Sequence, residues 1–152
     1  PGDLLVVSFG HNDANRAKAE RYVPADAFGE SLRPFWDAAR SHGAVCIFVS
    51  PVAMREFDEA GVCHPSFAAY REAMRAFAAE VGAPFIDLGA ATAAANTAFG
   101  AERCKARYMW VGAKQDNAHQ QNAGACRTAQ AFVQQLLQGT TPALDVLRAN
   151  FK

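Results

Sequence analysis

The 152 residues suit a single domain, and a chain of this length buries about 68–70% of its unfolded surface. Its 51% apolar and 20% charged residues exclude disorder, and a net charge of +0 with a pI near 7.3 excludes the basic excess that nucleic-acid binding needs. No apolar run is long enough to cross a bilayer, so neither nucleic acid nor membrane is expected as a partner. There is no signal peptide, and because the chain opens on Pro1 rather than Met, sequence upstream of it is expected.

Residues 4–9 form a continuous apolar run ended by Gly10, the pattern of a strand buried on both faces. Residues 24–40 predict a helix, with Phe28, Leu32, Phe35, Trp36 and Ala39 on one face. Pro34 is expected to kink it, and His42-Gly43 to end it. Residues 44–50 give a second buried strand stopped by Pro51, and residues 54–64 a polar loop. Residues 65–81 predict a helix whose stripe is Phe67, Tyr70, Met74, Phe77 and Val81, closed by Gly82. A short third strand is expected at 84–88, then an alanine-rich helix or loop at 89–98, and no clear period over 90–115. The last helix, 120–138, is read with Ala125, Ala129, Phe132, Val133, Leu136 and Leu137 inward and Gly139 at its end. Strands alternating with helices imply an α/β fold with a parallel sheet, whose ligands bind beyond the carboxyl ends of the strands. The tail, 140–152, is set apart from a domain over 1–139.

That rule directs attention to Gly10-His11-Asn12-Asp13, directly after the first strand. An asparagine there can donate its amide hydrogen to a developing oxyanion, an interaction of about 3–4 kcal/mol. A plain strand-ending turn favours the same residue types. Asp116-Asn117-Ala118-His119, before the last helix, places a carboxylate within reach of an imidazole, which fixes the tautomer and frees the other nitrogen as a base. Helix capping is the competing explanation. Cys46, Cys63, Cys104 and Cys126 include no CxxC pair; Cys46 reads as a buried thiol, while Cys104 and Cys126 can pair if the fold unites them. His64 and His119 lie near cysteines but lack zinc-ligand spacing, and no phosphate-binding glycine loop is present. No metal or cofactor is expected.

Phe9-Gly10-His11-Asn12-Asp13 and Asp116-x-x-His119 resemble the third and fifth sequence blocks of the SGNH (GDSL) hydrolases. With Ser50-Pro51-Val52, Arg55, Phe57, Asp58, Gly61 and Phe85-Ile86-Asp87-Leu88 between them, the series is similar to the rhamnogalacturonan acetylesterases, from Pro1 to about Leu137. The resemblance implies a flavodoxin-like three-layer α/β/α sandwich and removal of an acetyl group from a sugar. It implies Asn12 as oxyanion donor, His119 as general base and Asp116 as its orienting acid. It also implies close backbone approach at Gly10, and His11 near the substrate or supporting the loop.

The same resemblance implies a nucleophile in a Gly-Asp-Ser block, and none of Ser8, Ser31, Ser41, Ser50 or Ser66 sits in one. Ser50, ending a strand, is the positional candidate. The expectation is therefore a partial SGNH domain over 1–139, its N-terminal strands missing, inactive alone and prone to self-association through an exposed strand edge. The alternative is a non-catalytic carbohydrate-binding or interaction domain derived from such an esterase; a nucleotide-binding domain is disfavoured by the absent phosphate loop. The implied partner is an acetylated carbohydrate, with rhamnogalacturonan, xylan and simpler sugars open, as is secretion against a cytoplasmic location.

Overall fold

A computed structural model describes residues 2–139 and 142–149, apart from the side chain of Val146. The chain divides into two compact units. The first gathers residues up to Pro51, Phe67–Ile86 and the described residues from Gly139 onward; the second holds Val52–Ser66 and Asp87–Gln138.

In the first unit, β1 (Leu4–Val7), α1 (Ala25–Ser31), α2 (Arg33–Ser41), β2 (Val45–Val49), α3 (Ala68–Val81) and β3 (Phe85–Ile86) follow in order. The sheet is parallel with order β1-β2-β3, pairing Leu4 with Val45 and Phe48 with Phe85. The α/β parallel sheet inferred from alternation is thus present. The central strand β2 is buried on both faces, Cys46 through Val49 being at most 2% exposed. Its one face meets helix residues in a core of Val7, Phe28, Leu32, Phe48, Met74 and Phe77. Edge-to-face rings tighten it, Phe28 with Tyr70 at 5.0 Å and Phe48 with Phe77 at 5.5 Å.

The boundaries differ from the sequence reading for local reasons. The helix over 24–40 is two helices, broken at Leu32. Pro34 lacks the N–H that would continue the first ladder, yet it fits the opening turn of α2. The helix over 65–81 starts only at Ala68, because Phe67 takes a left-handed conformation, φ 55°. The first strand stops at Val7, leaving Ser8 and Phe9 exposed beyond it. The third strand is two residues long, because Asp87 turns to cap the next helix, its side chain accepting from the Ala90 N–H at 3.3 Å.

That helix opens the helical part of the second unit: α4 (Leu88–Phe99), α5 (Ala101–Cys104), a 3₁₀ turn (Lys105–Arg107), the hairpin β4 (Tyr108–Val111) and β5 (Lys114–Gln120), and α6 (Asn122–Gln138). The hairpin is antiparallel and falls where the sequence showed no period. Tyr108 is buried beneath it, its hydroxyl accepting from Asn96 Nδ2 at 2.9 Å and donating to the Ala53 carbonyl at 2.7 Å. The inward stripe of α6 departs from expectation in part: Leu136 is buried as expected, but Ala125, Ala129 and Leu137 are exposed, and Gly124 and Ala131 are buried instead. Gly124 sets that rotation. A Cβ there would lie 2.2 Å from the Arg107 carbonyl oxygen, so only glycine lets α6 approach the 3₁₀ turn.

The expected tail lies partly outside the described residues; within them it forms a 3₁₀ turn (Pro142–Leu144) and α7 (Asp145–Ala149), with Leu144 buried. All four cysteines are free thiols. Cys104 is buried and Cys126 exposed, so the pairing considered for them is not made. Burial pushes the Cys46 thiol up to about 11.

Candidate active site

The sequence-predicted site residues are divided between the units: Gly10, His11 and Asn12 in the first, Asp116 and His119 in the second. At the carboxyl end of β1 the chain turns sharply. The Gly10 N–H donates to Asp13 Oδ2 at 2.9 Å, and the Ala14 N–H to the Gly10 carbonyl at 3.0 Å. Gly10 has φ +121°, and a Cβ on it would lie 2.6 Å from Pro51 Cγ, so backbone conformation and sterics both require glycine. Tyr70 braces the turn from α3, its hydroxyl donating to the Val23 carbonyl at 2.7 Å. The His11 ring packs edge-on against Phe67 at 4.8 Å. Phe67 is the bulky residue with positive φ, a conformation that costs about 1–3 kcal/mol and persists where surrounding structure imposes it. The exposed Asn12 opens onto a groove of about 520 Å³, lined also by Ser8, Phe9, His11, Arg21 and Phe35.

Asp116 and His119 lie on β5, not in a free turn. The register steps from Met109 opposite Asp116 to Tyr108 opposite Gln120, so Asn117, Ala118 and His119 are inserted against a single step of β4. This is a bulge of more than one extra residue, and bulges re-aim side chains. Asp116 Oδ1 accepts from the backbone N–H of Ala118 and of His119, both at 2.9 Å. Its Oδ2 meets His119 Nδ1 at 2.8 Å, the contact that the sequence spacing anticipated. The His119 N–H first, then the Ala118 N–H and the imidazole, hold the Asp116 carboxyl far below the usual carboxylate range. Asp116 is thus a fixed anion whose second oxygen selects the Nδ1–H tautomer. The His119 side chain is 78% exposed, which leaves its Nε2 edge accessible.

Asn117 is held from outside the bulge. Its backbone carbonyl accepts from the Arg55 N–H at 2.7 Å. Its Oδ1 accepts from Trp110 Nε1 at 2.9 Å and Arg55 Nη1 at 3.3 Å. Sequence reasoning noted Arg55 only as part of a motif series and passed over Trp110; Arg55 lies 62 positions from Asn117, beyond any periodic signal.

The serines are constrained. Ser50, the positional candidate for a nucleophile, is fully buried, its N–H bonded to the Ile86 carbonyl at 3.0 Å. Ser66 is buried and accepts from the Met54 N–H, while Ser31 and Ser41 donate to carbonyls of their own helices. Ser8 is exposed on the Asn12 groove.

Residues 1–125, which span the Gly10 turn and the Asp116–His119 bulge, match the GDSL-like lipase/acylhydrolase family. The chain belongs to that family. Among GDSL-like relatives it is 34% identical over 155 residues to the rhamnogalacturonan acetylesterase RhgT of Bacillus subtilis strain 168, covering 96% of this chain and 66% of that one. It is 34% identical over 126 residues to the probable rhamnogalacturonan acetylesterase YesY of the same organism, covering 82% and 58%. This GDSL-like chain therefore spans about two thirds or less of the curated relatives it matches. The crystal structure of protein YXIM from Bacillus subtilis superposes with a TM-score of 0.79 at 30% identity, over 90% of this chain and 37% of that one. A Parabacteroides merdae protein described as a GDSL-like lipase shares the fold, with a TM-score of 0.61 at 17% identity over 88% and 59%.

Proposed function

We propose that this chain carries the general-base and oxyanion-binding residues of a carbohydrate acetylesterase that removes O-acetyl groups from a pectin-type polysaccharide such as rhamnogalacturonan. The observation that carries the proposal is the Asp116 Oδ2 to His119 Nδ1 hydrogen bond at 2.8 Å beneath an exposed imidazole. It is supported by the names of the two relatives at 34% identity. In this reading a serine attacks the acetyl carbonyl and His119 Nε2 takes its proton. Asp116 stabilises the imidazolium, and Asn12 donates its side-chain N–H to the oxyanion. His119 then returns the proton to the departing sugar oxygen, and water repeats the attack on the acyl-enzyme to release acetate. Gly10 keeps the Asn12 turn close to the sheet, and His11 supports it against Phe67.

The 152 residues contain no Gly-Asp-Ser sequence, and Ser50 is inaccessible. The nucleophile is accordingly assigned to sequence beyond these residues, and the chain alone is read as inactive. The same absence favours a second reading, a carbohydrate-binding domain derived from such an esterase. The β1 edge, unpaired on one side among the described residues, with Val6 49% exposed, is read as the route to self-association.

The test joins the chain to a Gly-Asp-Ser-bearing N-terminal segment of a GDSL-like relative and measures acetate release from acetylated rhamnogalacturonan. The chain alone should release no more than its His119→Ala variant, and the joined protein should be active only while His119 is present. Activity that survives His119→Ala would sink the esterase reading. Tight binding without any turnover would favour the second.

A further inference from the structure

Three inserted residues on β5 have no ladder to hold them, yet the bulge must fix Asp116 and His119 to within hydrogen-bond tolerance. Asp116 organises it from inside by accepting the N–H groups of Ala118 and His119. It does nothing for the outer residue, Asn117, whose partners come from elsewhere in the second unit.

We propose that Arg55, Trp110 and Asn117 are positioning residues, a clamp that keeps the Asp116–His119 pair in the geometry a general base requires. The proposal rests on the reading of His119 as that base. Arg55 is itself immobilised. Its Nε and Nη2 both donate to the Ala101 carbonyl, at 3.1 and 2.9 Å, its guanidinium lies 4.7 Å from the Trp110 ring centroid, and its side chain is only 11% exposed. Nη2 also lies 3.8 Å from Glu102 Oε1, while Nη1 reaches Asn117 Oδ1 and the backbone N–H reaches the Asn117 carbonyl. Trp110 Nε1 shares the same Oδ1. Two donors converge on one end of the amide, so only an acceptor fits there, which fixes the orientation of Asn117. Asn117 is thereby anchored at main chain and side chain, immediately between the carboxylate and the imidazole. Arg55 acts twice, as anchor and as the plane that holds the Trp110 indole beside its acceptor.

The test reads the His119 tautomer by long-range ¹H–¹⁵N correlation in the full chain at a pH where the ring is neutral; His119→Gln assigns its signals among the four histidines. Wild type should show the proton mainly on Nδ1, as the bond to Asp116 dictates. Asn117→Ala and Arg55→Met should lose that majority, whereas Asn117→Asp, which keeps both acceptor bonds, should retain it. Should Asn117→Ala fail to fold, Trp110→Phe, which removes one donor, should show a partial loss of the same form. In the joined enzyme, kcat should fall about 10- to 100-fold in the variants that lose the tautomer, with KM little changed. An Nδ1–H majority persisting in Asn117→Ala, or an undiminished Nδ1–H population in Trp110→Phe where that is the variant read, overturns the clamp. A lost majority with kcat unchanged overturns the reading of His119 as the base.

Discussion

The second unit holds two Asp–His pairs of similar composition and different build. On the loop after β2, Asp58 Oδ2 meets His64 Nε2 at 2.7 Å. On the β5 bulge, Asp116 Oδ2 meets His119 Nδ1 at 2.8 Å. Both carboxyls lie below their ordinary range, Asp58 through His64 first and the Val62 N–H next, Asp116 through the His119 and Ala118 N–H groups. The difference lies in which nitrogen is used and what holds the backbone. Asp58 engages the outer nitrogen of His64, on a loop closed by the Phe57–Cys63 bridge and tied to α4 by the Cys63 N–H to Thr97 Oγ1 bond at 2.9 Å. Asp116 engages the inner nitrogen, leaves Nε2 outward, and has its bulge anchored through Asn117. The two pairs thus differ in tautomer and in backbone support, and the proposed role of Asp116–His119 rests on both differences.

The sharpest way to break the comparison is to neutralise each acid in the joined enzyme. Asp116→Asn should lower kcat on the order of 10⁴-fold by favouring the wrong tautomer, while Asp58→Asn should leave kcat within about twofold, as expected away from the chemistry. Equal losses would remove the distinction. Next in size is the scaffold beneath the bulge. Gly124→Ala places a Cβ 2.2 Å from the Arg107 carbonyl oxygen, and should cost about 1–3 kcal/mol in denaturant unfolding, the usual range for overpacking. It should also disturb the bulge, because the Gln121 N–H bonds that same carbonyl at 2.9 Å.

Thr97→Val addresses the other pair. It removes the Oγ1 that accepts from the Cys63 N–H and should cost about 1–3 kcal/mol as that part-buried donor loses its partner, with the His119 tautomer unchanged. The smallest effect is in titration. Both carboxyls should protonate below the ordinary aspartate range when followed by ¹³C NMR, Asp116 chiefly because the His119 and Ala118 N–H groups hold it and Asp58 chiefly because His64 and the Val62 N–H do. A carboxyl depressed in the folded state adds stability above its unfolded pKa, about 3.9, and loses that contribution as pH falls through the folded value. Acid unfolding of Asp116→Asn should therefore be less pH-dependent than wild type below about pH 4, and an identical profile would contradict the assignment.

The first half of the chain was largely legible. Unbroken apolar runs found β1 and β2, although only β2 is buried on both faces and β1 is an edge strand with Val6 exposed. Gly10 marked its own turn, although its contact with Pro51, 41 positions away, did not show. Asp116 and His119 were legible as a pair because their contact is local. The β4–β5 hairpin was not. Residues 108–120 mix apolar and polar positions without a strict period of two, and the bulge erases what alternation remained. The face of α6 was misjudged because hydrophobicity points to Ala125 and Leu137, while close packing selects Gly124.

Sequence by itself determined the α/β class, the sheet-edge position of Gly10–Asp13 and the Asp116–His119 contact, because each depends on patterning or on groups three residues apart. Tertiary structure alone decided that Ser50 is sealed in the core, that α6 turns its glycine inward, and that Arg55 and Trp110 meet at Asn117. Those outcomes depend on which side chains arrive from distant segments to satisfy a buried acceptor or fill a space, and one-dimensional spacing carries no record of such arrivals.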